Sequence, residues 1–190
     1  MGEAVERASY DEYLRRLAAS ESKLEFVDGV IYAMTGGTPT HARLAASVTA
    51  ALHRALAGSD CAVYSSDLAI RVEATNRTTF ADAVVVCGPE LASSSDPNAI
   101  TNPSIVVEVL SPSTEASDRG EKFRHYQQLP SLREYVLVSQ DEPRLEIFRR
   151  DGNAWILRSY GPGEHAELES QGVTLPIDEL YADRRSSAAP

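Results

Sequence analysis

Two stretches decide the fold: Phe80–Cys87, FADAVVVC, and Ser104–Leu110, SIVVEVL. Both are near-continuous apolar runs rich in valine, the pattern of strands buried on both faces of a sheet. Each also carries an acid where an acid is costly: Asp82 opens the first strand and Glu108 interrupts the second. A buried carboxylate must be protonated, paired or bound to a cation. A structural salt bridge would satisfy either acid taken singly. Two such acids on two central strands point instead to a pair of hard oxygen ligands for Mg²⁺ or Mn²⁺. Mg²⁺ is commonly held by one or two carboxylates together with waters and phosphate oxygens.

Downstream of these strands, Ser111-Pro112-Ser113-Thr114 turns the chain, and a helix is expected from Asp118 to Gln128, before Pro130. It carries Lys122, which with Lys23 makes up all the lysine in the chain. The turn can fold this helix back over the strand end and bring the ammonium towards the two carboxylates. There it could orient a water or stabilise developing negative charge; the alternative is a solvated helix lysine. Asp118 and Tyr126 lie four residues either side of Lys122 on the same helix face and could hold it in place. Glu134–Ser139, Arg144–Arg149 and Trp155–Tyr160 then predict an antiparallel meander with turns at Gln140–Pro143 and Asp151-Gly152. Val173-Thr-Leu-Pro leads to a short helical turn at Ile177–Tyr181.

Upstream, Ser9-x-x-Glu12 is a capping box opening a helix to about Ser20. Lys23–Val27 and Val30–Met34 flank Asp28-Gly29, a strong hairpin signal. Thr35–Pro39 is a loop in which Thr38 caps a second helix and Pro39 fits its first position. That helix carries an apolar stripe, Leu44, Val48, Leu52, Ala55 and Leu56, and ends near Gly58. Cys61–Ser65 and Leu68–Val72 read as short strands, and Leu91–Pro103 as a polar, mobile loop. The sum is a single α/β (α+β) domain over residues 1–183, a central mixed β-sheet flanked by helices, with 184–190 a frayed tail.

The chain has 190 residues, with 18 Lys+Arg against 28 Asp+Glu, a net charge of −10. That balance argues against a sequence-blind nucleic-acid binder, whose affinity comes from cations on phosphates. The acid excess is largest over residues 80–117, at −5, and only residues 118–160 are not net negative, at +1. Arg119 to Arg158 is therefore the expected DNA face. Cys61 and Cys87 lie in apolar runs and read as reduced core residues of a cytoplasmic protein. No apolar run approaches the ~18 residues of a membrane span, and the charged N-terminus lacks a signal-peptide core. Nothing suggests a membrane partner.

Two further residues are candidates on their own placement. Glu25 precedes the Asp28-Gly29 turn and could extend a metal site or bind its waters; it could equally be an exposed strand glutamate. His41 lies in the first turn of its helix, where backbone N–H groups favour phosphate, and could contact substrate or shuttle a proton. A surface histidine is the alternative.

The stretch from FADAVVVC at Phe80 to EYVLV at Glu134 resembles the Uma-two family of bacterial proteins, assigned to the restriction-endonuclease-like superfamily with its PD-(D/E)xK motif. The likeness extends to Leu24–Gly29, Gly37, His41 and Val173-Thr-Leu-Pro. The combination Glu108-Val-Leu-Ser-Pro-Ser-Thr with Asp118, Lys122 and Tyr126 is specific for the family. It implies that Asp82 is the motif aspartate and Glu108 the motif glutamate. Ala81 replaces the proline before the aspartate. Leu110 stands where the superfamily's lysine would, so the resemblance implies that the lysine has moved to Lys122. Glu25 matches the family's early acid. The fold implied is restriction-endonuclease-like. The activity implied is Mg²⁺- (or Mn²⁺-) dependent hydrolysis of DNA by Asp82, Glu108 and Lys122, with Glu25 and His41 auxiliary. A homodimer is the superfamily's habit. The alternatives are a non-catalytic interaction or regulatory module on the same fold, and an RNA phosphodiesterase.

Overall fold

The computed structural model describes residues 7–34 and 36–182. The expected frayed tail at 184–190 lies outside them. The first helix, α1 (Tyr10–Ala19), begins where the capping box puts it, Ser9 Oγ accepting from the Glu12 N–H at 3.2 Å. β1 (Leu24–Val27) and β2 (Val30–Ala33) form the expected hairpin. Asp28 and Gly29 have φ of 43° and 92°, as a two-residue primed turn requires. The long helix α2 (Pro39–Ala55) is capped by Thr38, whose hydroxyl accepts from the His41 N–H at 3.1 Å. β3 (Cys61–Ser65) and β4 (Ala69–Val72) follow.

FADAVVVC is not one strand. β5 (Arg77–Phe80) ends at its first residue and β6 (Ala83–Cys87) begins at its fourth, and the two belong to different sheets. The chain crosses between sheets at Ala81-Asp82. Apart from Asp82, every residue around the crossing is apolar or buried, so hydrophobic periodicity had little with which to mark the break. The expected mobile loop is likewise corrected: within it lie β7 (Ala92–Ser93) and β8 (Asp96–Ile100). The latter pairs in parallel with β4, and Asp96 is buried, its carboxylate accepting from the Tyr10 hydroxyl at 3.2 Å. Tertiary pairing has overridden a polar composition there.

After β9 (Ile105–Val109) the expected helix starts earlier than predicted. It runs as α3 (Glu115–Ser117), a π-helical turn over Asp118–Lys122, and α4 (Phe123–Tyr126). The meander forms as β10 (Glu134–Val138), β11 (Leu145–Asp151) and β12 (Ala154–Tyr160). β13 (His165–Leu168), not anticipated, pairs with β14 (Val173–Pro176) ahead of α5 (Ile177–Tyr181). The expected single central sheet is two six-stranded mixed sheets, in the orders β2-β1-β5-β4-β8-β7 and β12-β11-β10-β9-β6-β3, beside the β13–β14 hairpin. The class remains α+β with mixed sheets flanked by helices.

The central strands of the second sheet, β6, β9 and β10, are buried on both faces, which is why they read as unbroken apolar runs. One face, with Ala83, Val85, Val107 and Val136, packs on Leu44, Val48 and Leu52 of α2. The other, with Val84, Val106 and Tyr135, packs on Phe123 and Tyr126 after the π-turn and on Ile70 and Val72 of β4. Glu108 alternates onto this second face, beneath the π-helical turn.

Cys61 and Cys87 are not free. They are partners in the β3–β6 register and form a disulfide with an S–S distance of 2.05 Å. Both had been placed on strands, but sequence alone gave no sign that those strands pair in this register. The expectation of reduced thiols is overturned, and with it the support cysteine usage lent to a cytoplasmic location. Among the described residues no helix is long and apolar enough to cross a membrane.

Candidate active site

The crossing between sheets sets the site. Asp82 lies one residue before the Ala83–Val107 pair, and Glu108 one residue after Val107, so the antiparallel register puts the two acids side by side. Asp82 is fixed at both ends: its own N–H donates to Val107 O at 3.0 Å, and its Oδ2 accepts from the Val109 N–H at 2.7 Å. The N-terminus of α2 brings His41 Nε2 to 3.2 Å from the same Oδ2. Glu108 Oε1 accepts from the Tyr126 hydroxyl at 3.0 Å and lies 2.8 Å from Lys122 Nζ. Lys122 Nζ also stands 3.7 Å from Asp118 Oδ1, 3.8 Å from Glu25 Oε1 and 3.5 Å from Phe80 O. Glu25 reaches over from β1, its Oε1 accepting from the Thr79 hydroxyl and from the Phe80 N–H at 3.3 Å. Arg77 Nη2 lies 3.6 Å from its other oxygen. All five residues singled out in the sequence, Glu25, His41, Asp82, Glu108 and Lys122, thus converge.

The π-helical turn makes this convergence possible. The wider turn places Asp118 and Lys122 on the inward face one above the other, and both are buried. Sequence reasoning gave Asp118 and Tyr126 only the task of holding Lys122. Asp118 in fact joins the cluster as a further carboxylate, and Tyr126 bonds Glu108. Their spacing of four either side of Lys122 was the available signal. Arg77 was missed altogether, and nothing in its local sequence marks it.

Carboxyl groups outnumber cations here, with Arg77 beside Glu25 and Lys122 among the rest. Burial pushes Glu108 up to about 8, against the pull of Lys122. Burial also raises Asp118, with Lys122 and the Thr114 hydroxyl opposing. For Lys122 burial works against the ammonium, but Glu108, Glu25 and Asp118 outweigh it and hold the group above its ordinary value. The hydrogen bond to Asp82 raises His41. One buried ammonium therefore faces three carboxylates, with Asp82 as a fourth alongside. The donors are all hard oxygens, the set preferred by Mg²⁺ and Mn²⁺ rather than by softer metals. Among the described residues no three His, Cys, Asp or Glu side chains stand close enough to enclose an ion. An ion bound by Asp82 and Glu108 would complete its shell with water and phosphate oxygens.

His41, Asp82, Glu108, Asp118 and Lys122 line an open cleft of about 1240 Å³ walled by α2, by the Ser111–Thr114 turn, by Lys23 and Met34 at the ends of the β1–β2 hairpin and by Phe80. In the stretch expected to face DNA, Arg124 and Arg133 are exposed, while several other arginines are committed to partners. Arg119 is paired with Glu115 and Glu146, Arg149 with Glu169, and Arg158 with Glu167 and Glu169. Arg150 caps the carbonyls of Gln127, Leu129 and Leu132.

The fold and the chain both have relatives. A crystal structure from Anabaena variabilis, titled "a putative nuclease belonging to DUF820", superposes with a TM-score of 0.73 over 90% of this chain and 96% of that one, at 16% identity. Two uncharacterized proteins of Synechocystis sp. are similar in sequence. One is 38% identical over 92% of each chain, the other 30% identical over 83% of this chain and 89% of its own. The family model of Uma2, "Putative restriction endonuclease", matches residues 10–178, and the chain belongs to that family.

Proposed function

We propose that the protein is a nuclease that hydrolyses DNA phosphodiester bonds with Mg²⁺ or Mn²⁺ held between Asp82 and Glu108. The observation that carries this reading is the gathering of four carboxyl groups at one recessed point. Glu25, Glu108 and Asp118 all lie within 3.8 Å of the single ammonium of Lys122, and Asp82 is beside them. A cluster built only for stability would be served better by apolar side chains or by matched pairs. Membership of a family described as "Putative restriction endonuclease" supports the same reading.

A bound divalent ion would lower the pKa of a water and withdraw charge from the scissile phosphate. This chain's own groups do the remaining work. The Val109 N–H and His41 fix the Asp82 carboxylate, and Tyr126 and Lys122 fix that of Glu108, so neither ligand reorients when substrate arrives. Lys122 stays protonated and is placed to orient the attacking water or to donate to the phosphoryl oxygen on which charge develops. Glu25 holds Lys122 from the far side and is itself held by Arg77.

Hydrolysis of plasmid and of labelled single-stranded, duplex and RNA oligonucleotides, with Mg²⁺, Mn²⁺ or EDTA, tests the proposal. Metal-dependent cleavage by the wild type is expected. Asp82→Ala should abolish it, and Lys122→Met should reduce it at least about a hundredfold. Absence of cleavage on every substrate, with no metal binding by calorimetry, would sink it.

A further inference from the structure

Acids line this cleft only at the catalytic cluster: Asp82, Glu108 and Asp118. In a chain with 28 acids against 18 Lys+Arg, the rest of the lining carries none among the described residues. It carries instead Lys23 on one wall and His53 and Arg54 at the far end of α2. Both lysines of the protein therefore face one cleft. Lys23 is held in place there, its ammonium donating to Ser66 O at 2.8 Å, lying 2.7 Å from Asp67 and standing 5.7 Å from the Phe80 ring centroid. Between the cluster and Arg54, the exposed face of α2 is Ala42, Ala46 and Ala50, side chains short enough for a backbone to pass against the helix.

We infer that this cleft is a track for one polynucleotide strand, which runs along α2 from His41 to Arg54 with its phosphates on Lys23, His53 and Arg54. The inference rests on the proposed function and narrows its substrate. Charge complementarity selects the occupant: among the described residues, Lys23, which also pairs with Asp67 at the rim, and Arg54 put two cations on a lining that carries no acid outside the cluster. Depth selects one strand over two. The side chains of Glu108, Lys122 and Asp118 are only 6%, 10% and 4% exposed. A duplex presents its phosphates on a convex surface tied to its partner strand, whereas a lone strand can bend down to the recessed acids. The lining offers no stacking platform beyond Phe80, itself buried, so the track reads backbone rather than base. His41 to His53 spans about 18 Å of helix, roughly five steps of a stacked strand at ~3.4 Å each.

Binding of labelled single-stranded DNA, single-stranded RNA and duplex DNA to the full chain, with Ca²⁺ in place of Mg²⁺, tests the track. Single strands should bind more tightly than duplex, with affinity levelling off at about five nucleotides to one side of the site. A plot of log K against log salt should slope near −1.4, about 0.7 each from Lys23 and Arg54, and Lys23→Gln or Arg54→Gln should each flatten it by about 0.7. Both variants should keep wild-type Mn²⁺ affinity and wild-type hydrolysis of bis(p-nitrophenyl) phosphate, a diester with no strand to track. A role in capping α2 alone would change thermal stability and leave the slope untouched. Unchanged slopes in both variants, or tighter binding of duplex, overturn the track. Loss of wild-type hydrolysis of every diester overturns the catalytic reading instead, because the binding slopes are read without turnover.

Discussion

Glu108 is the residue at which charge, burial and chemistry meet. Its carboxyl is raised to about 8 by burial, so without metal it still carries a proton at neutral pH. An ion entering beside it must displace that proton. Affinity for Mn²⁺ should therefore rise with pH through the range from about 6 to 8 and flatten above it. Calorimetry at pH 7 in buffers of different ionisation enthalpy should show close to one proton released per ion. Tyr126 supplies the test of the support beneath it. Tyr126→Phe removes a buried hydroxyl that donates to Glu108 at 3.0 Å. It should cost about 1–2 kcal/mol in chemical denaturation while leaving the fold intact.

At the scale of elements, the entry to α2 and the β3–β6 pair carry testable consequences. A Cβ at Gly37 would meet His41 Nδ1 at 2.8 Å and Cγ at 2.9 Å. Gly37→Ala should push the imidazole off Asp82 and lower the cleavage rate by about 10- to 100-fold, with Mn²⁺ affinity little changed because both acids remain. Reducing the Cys61–Cys87 bond, which closes a sequence separation of 26, should lower stability by about 3–4 kcal/mol in denaturant titrations with and without reductant. These elements also show what a sequence can disclose. The capping box at Ser9, the Asp28-Gly29 turn, the Thr38-Pro39 start of α2 and the meander from Glu134 are local signals, and the structure has each of them. The break within FADAVVVC, the β7–β8 pair and the disulfide depend on which strands become neighbours, and no local pattern encodes that. The site divides the same way. Asp82 and Glu108 were conspicuous because acids are rare in such strands, and Lys122 because lysines are rare in this chain. Arg77 and the inward turn of Asp118 follow from tertiary packing and the π-turn.

Across the whole molecule, the net charge of −10 is less of an obstacle to a nucleic-acid substrate than its size suggests. Arginines at 119, 149 and 158 are committed to nearby acids, and four carboxylates are gathered where a divalent cation would offset them. Substrate binding should accordingly depend on divalent metal and weaken steeply as salt is raised from about 0.05 to 0.2 M. All of this depends on Asp82 and Glu108 sharing one ion. Anomalous diffraction from crystals of the protein soaked in Mn²⁺ measures that directly. The account predicts a single strong peak within coordinating distance of one oxygen of each carboxylate, absent in Asp82→Ala. A peak elsewhere, or none at saturating Mn²⁺, would contradict it.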